Sequence, residues 1–324
     1  MIRPPRFWSA APDHPAARLL APIGTAYGAL TAARMDRAGT RAPCPVLCLG
    51  NFTLGGAGKT PTALALAAML RDLGAEPAFL SRGYGGRLAG PVRVDPARHG
   101  AVEVGDEPLL LARHAPTIIA RDRVAGAQAC AAAGARVIVM DDGLQNPSLV
   151  KDLALAVVDA GTGLGNGRPF PAGPLRAPLA RQWPHVGGLV LIGEGPAGEA
   201  VAAEAASRGL PVHRARLVPE AGDWAGRRAM AFAGIGIPQK FFDTLRAAGA
   251  EIAATRAFPD HHRYTAEDLS GLAAEAARLG AELVTTEKDV VRLPTGYGIR
   301  TLPVRLVFAN AAAIRAQIGA LAGG

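Results

Sequence analysis

Lys59 and Thr60 close a glycine-rich run, Gly55-Gly56-Ala57-Gly58, that stands between the apolar stretch "PVLCLGN" and the helix-like "TPTALALAAMLRDLG". A strand leading in and a helix leading out make such a run a phosphate cradle: backbone N–H groups of Gly55, Gly56 and Gly58 can close around phosphate oxygens at the helix N-terminus. In the pattern G-x-x-x-x-G-K-[ST], the Lys neutralises the β- and γ-phosphates and the hydroxyl binds Mg²⁺. Gly58, Lys59 and Thr60 fit it, while Thr53 occupies the first glycine position. The nucleotide would therefore lie along Thr53, Leu54, Gly55, Gly56, Ala57, Gly58, Lys59 and Thr60. Pro61 falls in the first helical turn, where a missing N–H costs little.

Phosphate chemistry of this kind also needs a carboxylate for Mg²⁺ at the end of a neighbouring strand. Asp141 and Asp142 follow the apolar "VIVM" directly. Two adjacent carboxylates repel unless a cation sits with them, and either can be the metal ligand. Other polar clusters are open to plainer readings. Asp106 and Glu107 in "GDEP" are explained as an N-cap and a first-turn acid. Ser81, Arg82 and Arg87 in "SRGYGGR" suit a phosphate clamp or an exposed loop. Asp260, His261 and His262 in "FPDHH" are a weak metal signal without further ligands. Glu287, Lys288 and Asp289 in "TTEKD" suit base recognition or a salt-bridged strand terminus.

The elements that must hold these residues alternate. "PVLCLGN", "PAFLS", "PTIIA", "ARVIVMDD" and "LALAVVDA" read as strands, with helical "TPTALALAAMLRDLG" and "RVAGAQACAAAG" between them, which is the pattern of a parallel sheet. The fold class is α/β: a P-loop NTPase-like, doubly wound, mostly parallel sheet with a second, smaller α/β domain. The second block holds "RAMAFAGIG", the helix "PQKFFDTLRAAG", a helix capped at Thr265, and the strands "AELVTTEKD" and "LPVRLVFA". With the boundary in "PEAGDWAGR", the organisation is 1–35 as an N-terminal amphipathic segment, 36–224 as the phosphate-binding domain and 225–324 as the smaller domain.

At 324 residues, 49% apolar and 19% charged, the chain can bury a core in each of two domains. Three cysteines, Cys44, Cys48 and Cys130, make neither a disulfide framework nor a metal-ligand spacing, which points to a reducing compartment. The net charge of +8 suits an anionic partner, and nearly all of the positive charge is Arg, with lysine only at Lys59, Lys151, Lys240 and Lys288. No apolar run is long enough to cross a bilayer. "ARLLAPIGTAYGALTAARM" places Leu19, Leu20, Ile23, Tyr27 and Leu30 on one helical face, either to pack on the protein's own core or to lie in a lipid interface.

"GNFTLGGAGKTP", "SRGYGG", "GDEP", "DDGLQ", "NGRPFPAGPLRAP", "FPDHH" and "TTEKD" occur together in the order and approximate spacing of one family. From about Phe7 to Leu306 the chain resembles tetraacyldisaccharide 4′-kinase, the lipid A 4′-kinase of Gram-negative bacteria, whose loop G-N-x-[TS]-x-G-G-T-G-K-T-P accounts for Thr53. The resemblance implies Mg²⁺-dependent transfer of the ATP γ-phosphoryl group to the 4′-hydroxyl of a tetraacylated glucosamine disaccharide 1-phosphate. It implies that Lys59 and Thr60 are the phosphate and metal residues, that Asp141 and Asp142 are the carboxylate pair, that Asp106 is the catalytic base and that His261 assists it. Asn51, Arg82, Tyr84, Glu107 and Gln145, within these motifs, and Arg121 are the candidate substrate contacts. It further implies a peripheral protein, monomeric, on the cytoplasmic face of the inner membrane, docked on an anionic surface through residues 16–35. Two departures stand out: Asn146 follows "DGLQ" where the family often has His, and Ala57 replaces a Thr of the loop.

Two competing readings differ in class. One is a P-loop ATPase or GTPase that switches partners by hydrolysis, though such deviant loops usually carry Lys where this chain has Leu54. The other is a basic nucleic-acid-binding module. Aromatics at 5%, with no Lys/Arg cluster interleaved among them, count against nucleic acid as a partner.

Overall fold

The computed structural model describes residues 5–294 and 296–323. Residues 1–4 of the N-terminal segment lie outside it.

Thirteen strands form among the described residues: β1 (Val46–Gly50), β2 (Pro77–Ser81), β3 (Val92–Arg93), β4 (Thr117–Ile119), β5 (Val137–Asp141), β6 (Leu153–Asp159), β7 (Gly188–Ile192), β8 (Val212–Pro219), β9 (Arg228–Ala233), β10 (Glu251–Ala257), β11 (Glu282–Thr286), β12 (Arg300–Leu302) and β13 (Val304–Phe308). Nine of them make one sheet in the order β13-β8-β7-β6-β1-β5-β2-β4-β3. Its seven inner strands are parallel, and β3 and β13 run antiparallel at the two edges. β9 to β12 make a second, all-parallel sheet in the order β10-β9-β11-β12.

β1, β2, β5 and β7 are buried along their whole length because both faces of the sheet are covered there, whereas β8, next to the edge, alternates and exposes Arg214 and Arg216. Side chains alternate across the sheet. Val46, Cys48, Ile138 and Met140 join the core on one face, whereas Leu47, Leu49, Val137 and Val139 join the core on the other. β1 pairs with β5 on one side and β6 on the other, so its C-terminal end is the point where the winding direction reverses. In open α/β sheets ligands bind at that point.

Helices fill the connections: α1 (Pro15–Met35), α2 (Lys59–Asp72), α3 (Ala101–Val104), α4 (Asp106–Ala112), α5 (Arg123–Ala132), α6 (Leu179–Gln182), α7 (Pro196–Ser207), α8 (Pro238–Ala247), α9 (Ala266–Leu279), α10 (Glu287–Val290) and α11 (Ala311–Gly319). α9 opens on the expected cap, Thr265 and Asp268 exchanging side-chain and backbone bonds.

The structure departs from the sequence pattern at two places. Residues 225–324 do not form one unit, because "LPVRLVFA" is two strands: Pro303 separates β12, in the small sheet, from β13, which pairs antiparallel with β8 in the large one. The chain thus returns to the first sheet, and Leu306, Phe308, Ile314 and Ile318 complete its core. "TTEKD" likewise does not end as a strand, since Thr286 caps α10 by accepting the Asp289 N–H and the charged residues lie on that helix.

α1 packs on the protein by its small face and leaves large apolar side chains outside. Its small face packs on the protein: a Cβ on Gly24 would come within 2.8 Å of the Pro169 carbonyl, and one on Gly28 within 3.0 Å of Pro178. Leu19, Ile23, Tyr27 and Leu30 face outward, Leu19 with 80% and Leu30 with 72% of its surface exposed. Phe170 extends that patch, its ring 5.4 Å from the Tyr27 ring. No helix among the described residues is long and apolar enough to cross a membrane.

Candidate active site

The glycine-rich loop leaves β1 at Gly50 and enters α2 at Lys59. Gly58, the N-cap of α2, has φ +89°, which a side chain would resist. Gly55 and Gly56 are exposed, so their backbone faces an open cradle. From beneath, the loop is held by the segment "NGRPFPAGPLRAP". Leu54 N–H donates to the Pro174 carbonyl at 2.7 Å, Arg176 N–H to the Phe52 carbonyl at 2.9 Å, and Arg176 Nε to the Thr53 carbonyl at 3.0 Å.

The two adjacent aspartates sit beside this loop, since Asp141 pairs with Leu49 across β5 and β1. Their environments differ. Asp141 is 2% exposed and its Oδ1 has no hydrogen-bond partner. Burial, with the Glu107 and Asp142 carboxylates nearby, pushes its pKa up against the pull of Lys59. Asp142, at φ +54°, is paired to Arg176 at 3.0 Å and to Lys59 at 3.6 Å. Burial would raise its pKa too, but those two cations outweigh it and hold the value at about 2. A buried carboxylate oxygen without a donor suits a cation, so Asp141 and the Thr60 hydroxyl, buried at the start of α2, fit a divalent ion.

A second cluster joins the two sheets. Asp106 is the first residue of α4 rather than its cap. Gly105 takes the cap position, at φ +89° and so close to the chain that a Cβ would fall 2.4 Å from the Tyr84 carbonyl. The Asp106 side chain is 5% exposed. Its Oδ2 accepts from His261 Nδ1 at 2.8 Å and lies 3.6 Å from Arg292 Nε; its Oδ1 accepts the Glu107 N–H at 3.1 Å. Burial would raise its pKa, but His261, Lys288 and Arg292 together bring it below the ordinary carboxylate value. His261 itself is held at φ +58°, its N–H bonded to the Gly234 carbonyl.

The small sheet also reaches the cradle. A Cβ on Gly236 would lie 3.8 Å from the Gly56 nitrogen and 3.7 Å from Asp260 Oδ2. Lys240 on α8 pairs with Asp159 at the end of β6. The small sheet's Gly236 and Asp260 thus approach the loop, with the aspartate pair beside the loop on one side and His261, bonded to Asp106, beside Asp260 on the other.

The remaining expected residues divide. Tyr84 lies beside His261, ring centroids 6.0 Å apart, and Arg82 and Arg121 are exposed. Asn51 and Gln145, expected to touch substrate, are instead buried under the loop. Asn51 accepts from Lys59 at 3.1 Å and donates to the Gly55 carbonyl; Gln145 donates to the Asn51 carbonyl and to Gln182, each at 2.8 Å. Their amides are committed to holding the cradle. Glu107, also expected at the substrate, pairs with Lys288 at 3.1 Å. Asn146 bonds Ser148 in its own turn. His262 bonds Asp268, and no cluster of three or more metal-ligating side chains of the His/Cys/Asp/Glu type occurs among the described residues. Arg176 and Arg292 emerge only from the structure; their one signal in the sequence is that the first belongs to "NGRPFPAGPLRAP" and the second follows "TTEKD".

The resemblance read from the motifs extends to whole chains. The family model "Tetraacyldisaccharide-1-P 4'-kinase" matches residues 16–322. Curated tetraacyldisaccharide 4'-kinases are 72% identical in a strain of Methylorubrum extorquens over 98% of both chains, 71% in Methylobacterium radiotolerans over 99% of both, and 54% in a strain of Rhodopseudomonas palustris over 97% of this chain and 95% of that one. Among solved structures, LpxK from Aquifex aeolicus in complex with ATP superimposes with a TM-score of 0.74 at 23% identity, over 94% of this chain and 99% of that one.

The Arg176–Asp142 pair has a measurable consequence. A carboxylate held at about 2 refuses a proton that the unfolded chain accepts near pH 4. Its contribution to stability is therefore present above that range and is lost as pH falls from about 4 to about 2. In Arg176→Met the drop in urea midpoint between about pH 5 and about pH 3 should be smaller than in the wild type. An equal drop in both proteins would contradict the pairing.

Proposed function

The chain belongs to the tetraacyldisaccharide-1-P 4'-kinase family, and we propose that the cleft between its two sheets passes the γ-phosphoryl group of ATP to the 4′-hydroxyl of a tetraacylated glucosamine disaccharide 1-phosphate. The observation that carries this reading is one ionised, largely desolvated carboxylate, Asp106, in the cleft that the glycine-rich loop opens onto.

The loop backbone from Thr53 to Gly58 cradles the triphosphate, with the N-terminus of α2 behind it. Lys59 leaves Asn51 and Asp142 to face the β- and γ-phosphates. Asp141, with Asp142 and Thr60, would hold Mg²⁺, which would supply positive charge to stabilise the transferring phosphoryl group. A sugar hydroxyl is protonated at neutral pH, and in a loose transition state it gives up its proton late. Asp106 orients that hydroxyl and accepts the proton, and His261, donating from Nδ1 to Oδ2, fixes the rotamer of the carboxylate. Arg82, Tyr84 and Arg121, at the open side, are the contacts for the acceptor's polar groups. All these groups come from one chain, and we read the kinase as working as a monomer.

The acyl chains of this acceptor belong in a bilayer. The outward stripe Leu19, Ile23, Tyr27, Leu30 with Phe170 is the docking face, assisted by surplus Arg on an anionic surface. The protein is then peripheral on the cytoplasmic side of the inner membrane, where ATP is available.

With γ-labelled ATP, Mg²⁺ and a detergent-dispersed tetraacyldisaccharide 1-phosphate, label should move to the lipid. Asp106→Asn should lower kcat by about 10²–10⁴-fold, and Lys59→Ala should cost at least as much, because most of the acceleration comes from charge stabilisation at the phosphates. Phosphate release that ignores the acceptor would overturn the kinase reading in favour of a hydrolytic switch. Separately, the double substitution Leu19→Glu/Ile23→Glu should abolish co-sedimentation with anionic liposomes while leaving turnover of a detergent-dispersed acceptor intact; unchanged sedimentation would remove α1 from the docking face.

A further inference from the structure

Lys288 is a largely enclosed cation at the Asp106–His261 pair that none of the steps above uses. It lies on α10, in the motif whose sequence suggested base recognition or a salt-bridged terminus. Its Nζ is 3.1 Å from Glu107 Oε1 and 3.4 Å from His261 Nε2. Glu107 is the neighbour of Asp106 on α4, so one ammonium bonds the residue next to the base and the far nitrogen of the histidine that bonds the base.

Those distances point to one tautomer of His261. An ammonium has three donors and no acceptor. A ring nitrogen bonded to it must offer a lone pair, so Nε2 is unprotonated and the ring proton is on Nδ1, aimed at Asp106 Oδ2. The competing group, Asp260 Oδ2, is farther from Nε2 at 3.8 Å. The other charged or titratable groups nearby are Arg292, 3.6 Å from Asp106 Oδ2, Tyr84, whose ring stands 6.0 Å from that of His261, and the buried Asp141, whose carboxyl Glu107 and Lys288 influence in opposite directions. Burial alone would lower the pKa of Lys288, but Glu107, Asp106 and Asp260 together raise it, so the cation persists across the physiological range.

We propose that Lys288 is a positioning residue for the phosphoryl acceptor's proton transfer: held by Glu107, it fixes His261 as the neutral Nδ1–H tautomer and so keeps Asp106 ionised with one oxygen oriented by His261. A histidine held this way cannot itself take the hydroxyl proton at Nε2. The proton goes to Asp106, and the pair accepts one proton, not two, per transfer. This rests on Asp106 being the proton acceptor.

Loss of the cation removes an opposite charge from near Asp106, so its carboxylate binds a proton more readily. In Lys288→Met the acidic limb of the kcat profile should therefore move to higher pH, by about one unit. Lys288→Arg should keep the wild-type limb. Long-range ¹H–¹⁵N spectra of histidine-labelled wild-type protein, which need no variant to fold, should show His261 neutral with its proton on Nδ1 near neutral pH. An imidazolium or an Nε2–H tautomer there overturns the inference, as does a Lys288→Met protein whose kcat is unchanged, or falls by the same factor at every pH. Failure of Asp106→Asn to slow the wild-type reaction would instead count against the base assignment, leaving the tautomer measurement to stand by itself.

Discussion

The hydrogen bond from His261 Nδ1 to Asp106 Oδ2, at 2.8 Å, is the contact on which the rest of the site depends. It joins residues 155 positions apart, one from the large sheet's side of the cleft and one from the small sheet's. A carboxylate with 5% of its side chain exposed has lost most of its hydration and would by itself take up a proton. It stays ionised because His261, Lys288 and Arg292 replace that hydration, and all three come from the small sheet and its loops. Asp106 stays ionised only while the two parts of the molecule are together. Asp289 secures this arrangement from behind: fully buried, it accepts from Gly234 N–H, the Tyr264 hydroxyl, Thr286 and Arg292.

The phosphate side of the cleft shows the same division of labour. Asp142 and His261 are the two residues other than glycine held at positive φ among those described, an arrangement that costs about 1–3 kcal/mol each and is found where surrounding contacts over-determine the backbone. Arg176 supplies those contacts for Asp142, and the Gly234 carbonyl does so for His261. Asp142 is thereby kept charged while Asp141, one residue away and without a donor at Oδ1, is left wanting a cation. Both aspartates thus keep an Oδ1 without a hydrogen-bond donor, and they differ in charge compensation, since Asp142 is ion-paired to Arg176 and Lys59.

How much of this could be read from the sequence depends on how local each feature is. The glycine-rich loop is contiguous, so Gly58, Lys59 and Thr60 announce a cradle by spacing alone, and Asp141 after an apolar strand announces its companion. Asp106 and His261 have no such signal. Their pairing is a matter of tertiary approach, and only the joint resemblance of seven motifs to the family placed them in one site. Asn51 and Gln145 lie in motifs too, but whether an amide faces the ligand or the loop's underside is decided by packing against Arg176 and Gln182, which spacing does not encode. The return of β13 to the large sheet was hidden for a similar reason: an alternating run identifies a strand, not its partner, and Pro303 alone divides the segment between two sheets. Lys288 was visible as a charged residue near a strand end, but its partners lie on α4 and in the "FPDHH" turn.

That Asp106 and His261 act as one proton-accepting unit assembled across the cleft is tested most directly by a double-mutant cycle on acceptor-dependent kcat with Asp106→Asn and His261→Ala. Residues that act as a unit are non-additive. The double variant should then be no slower than Asp106→Asn alone. If the two losses multiply instead, the residues act independently and the hydrogen bond between them is structural only.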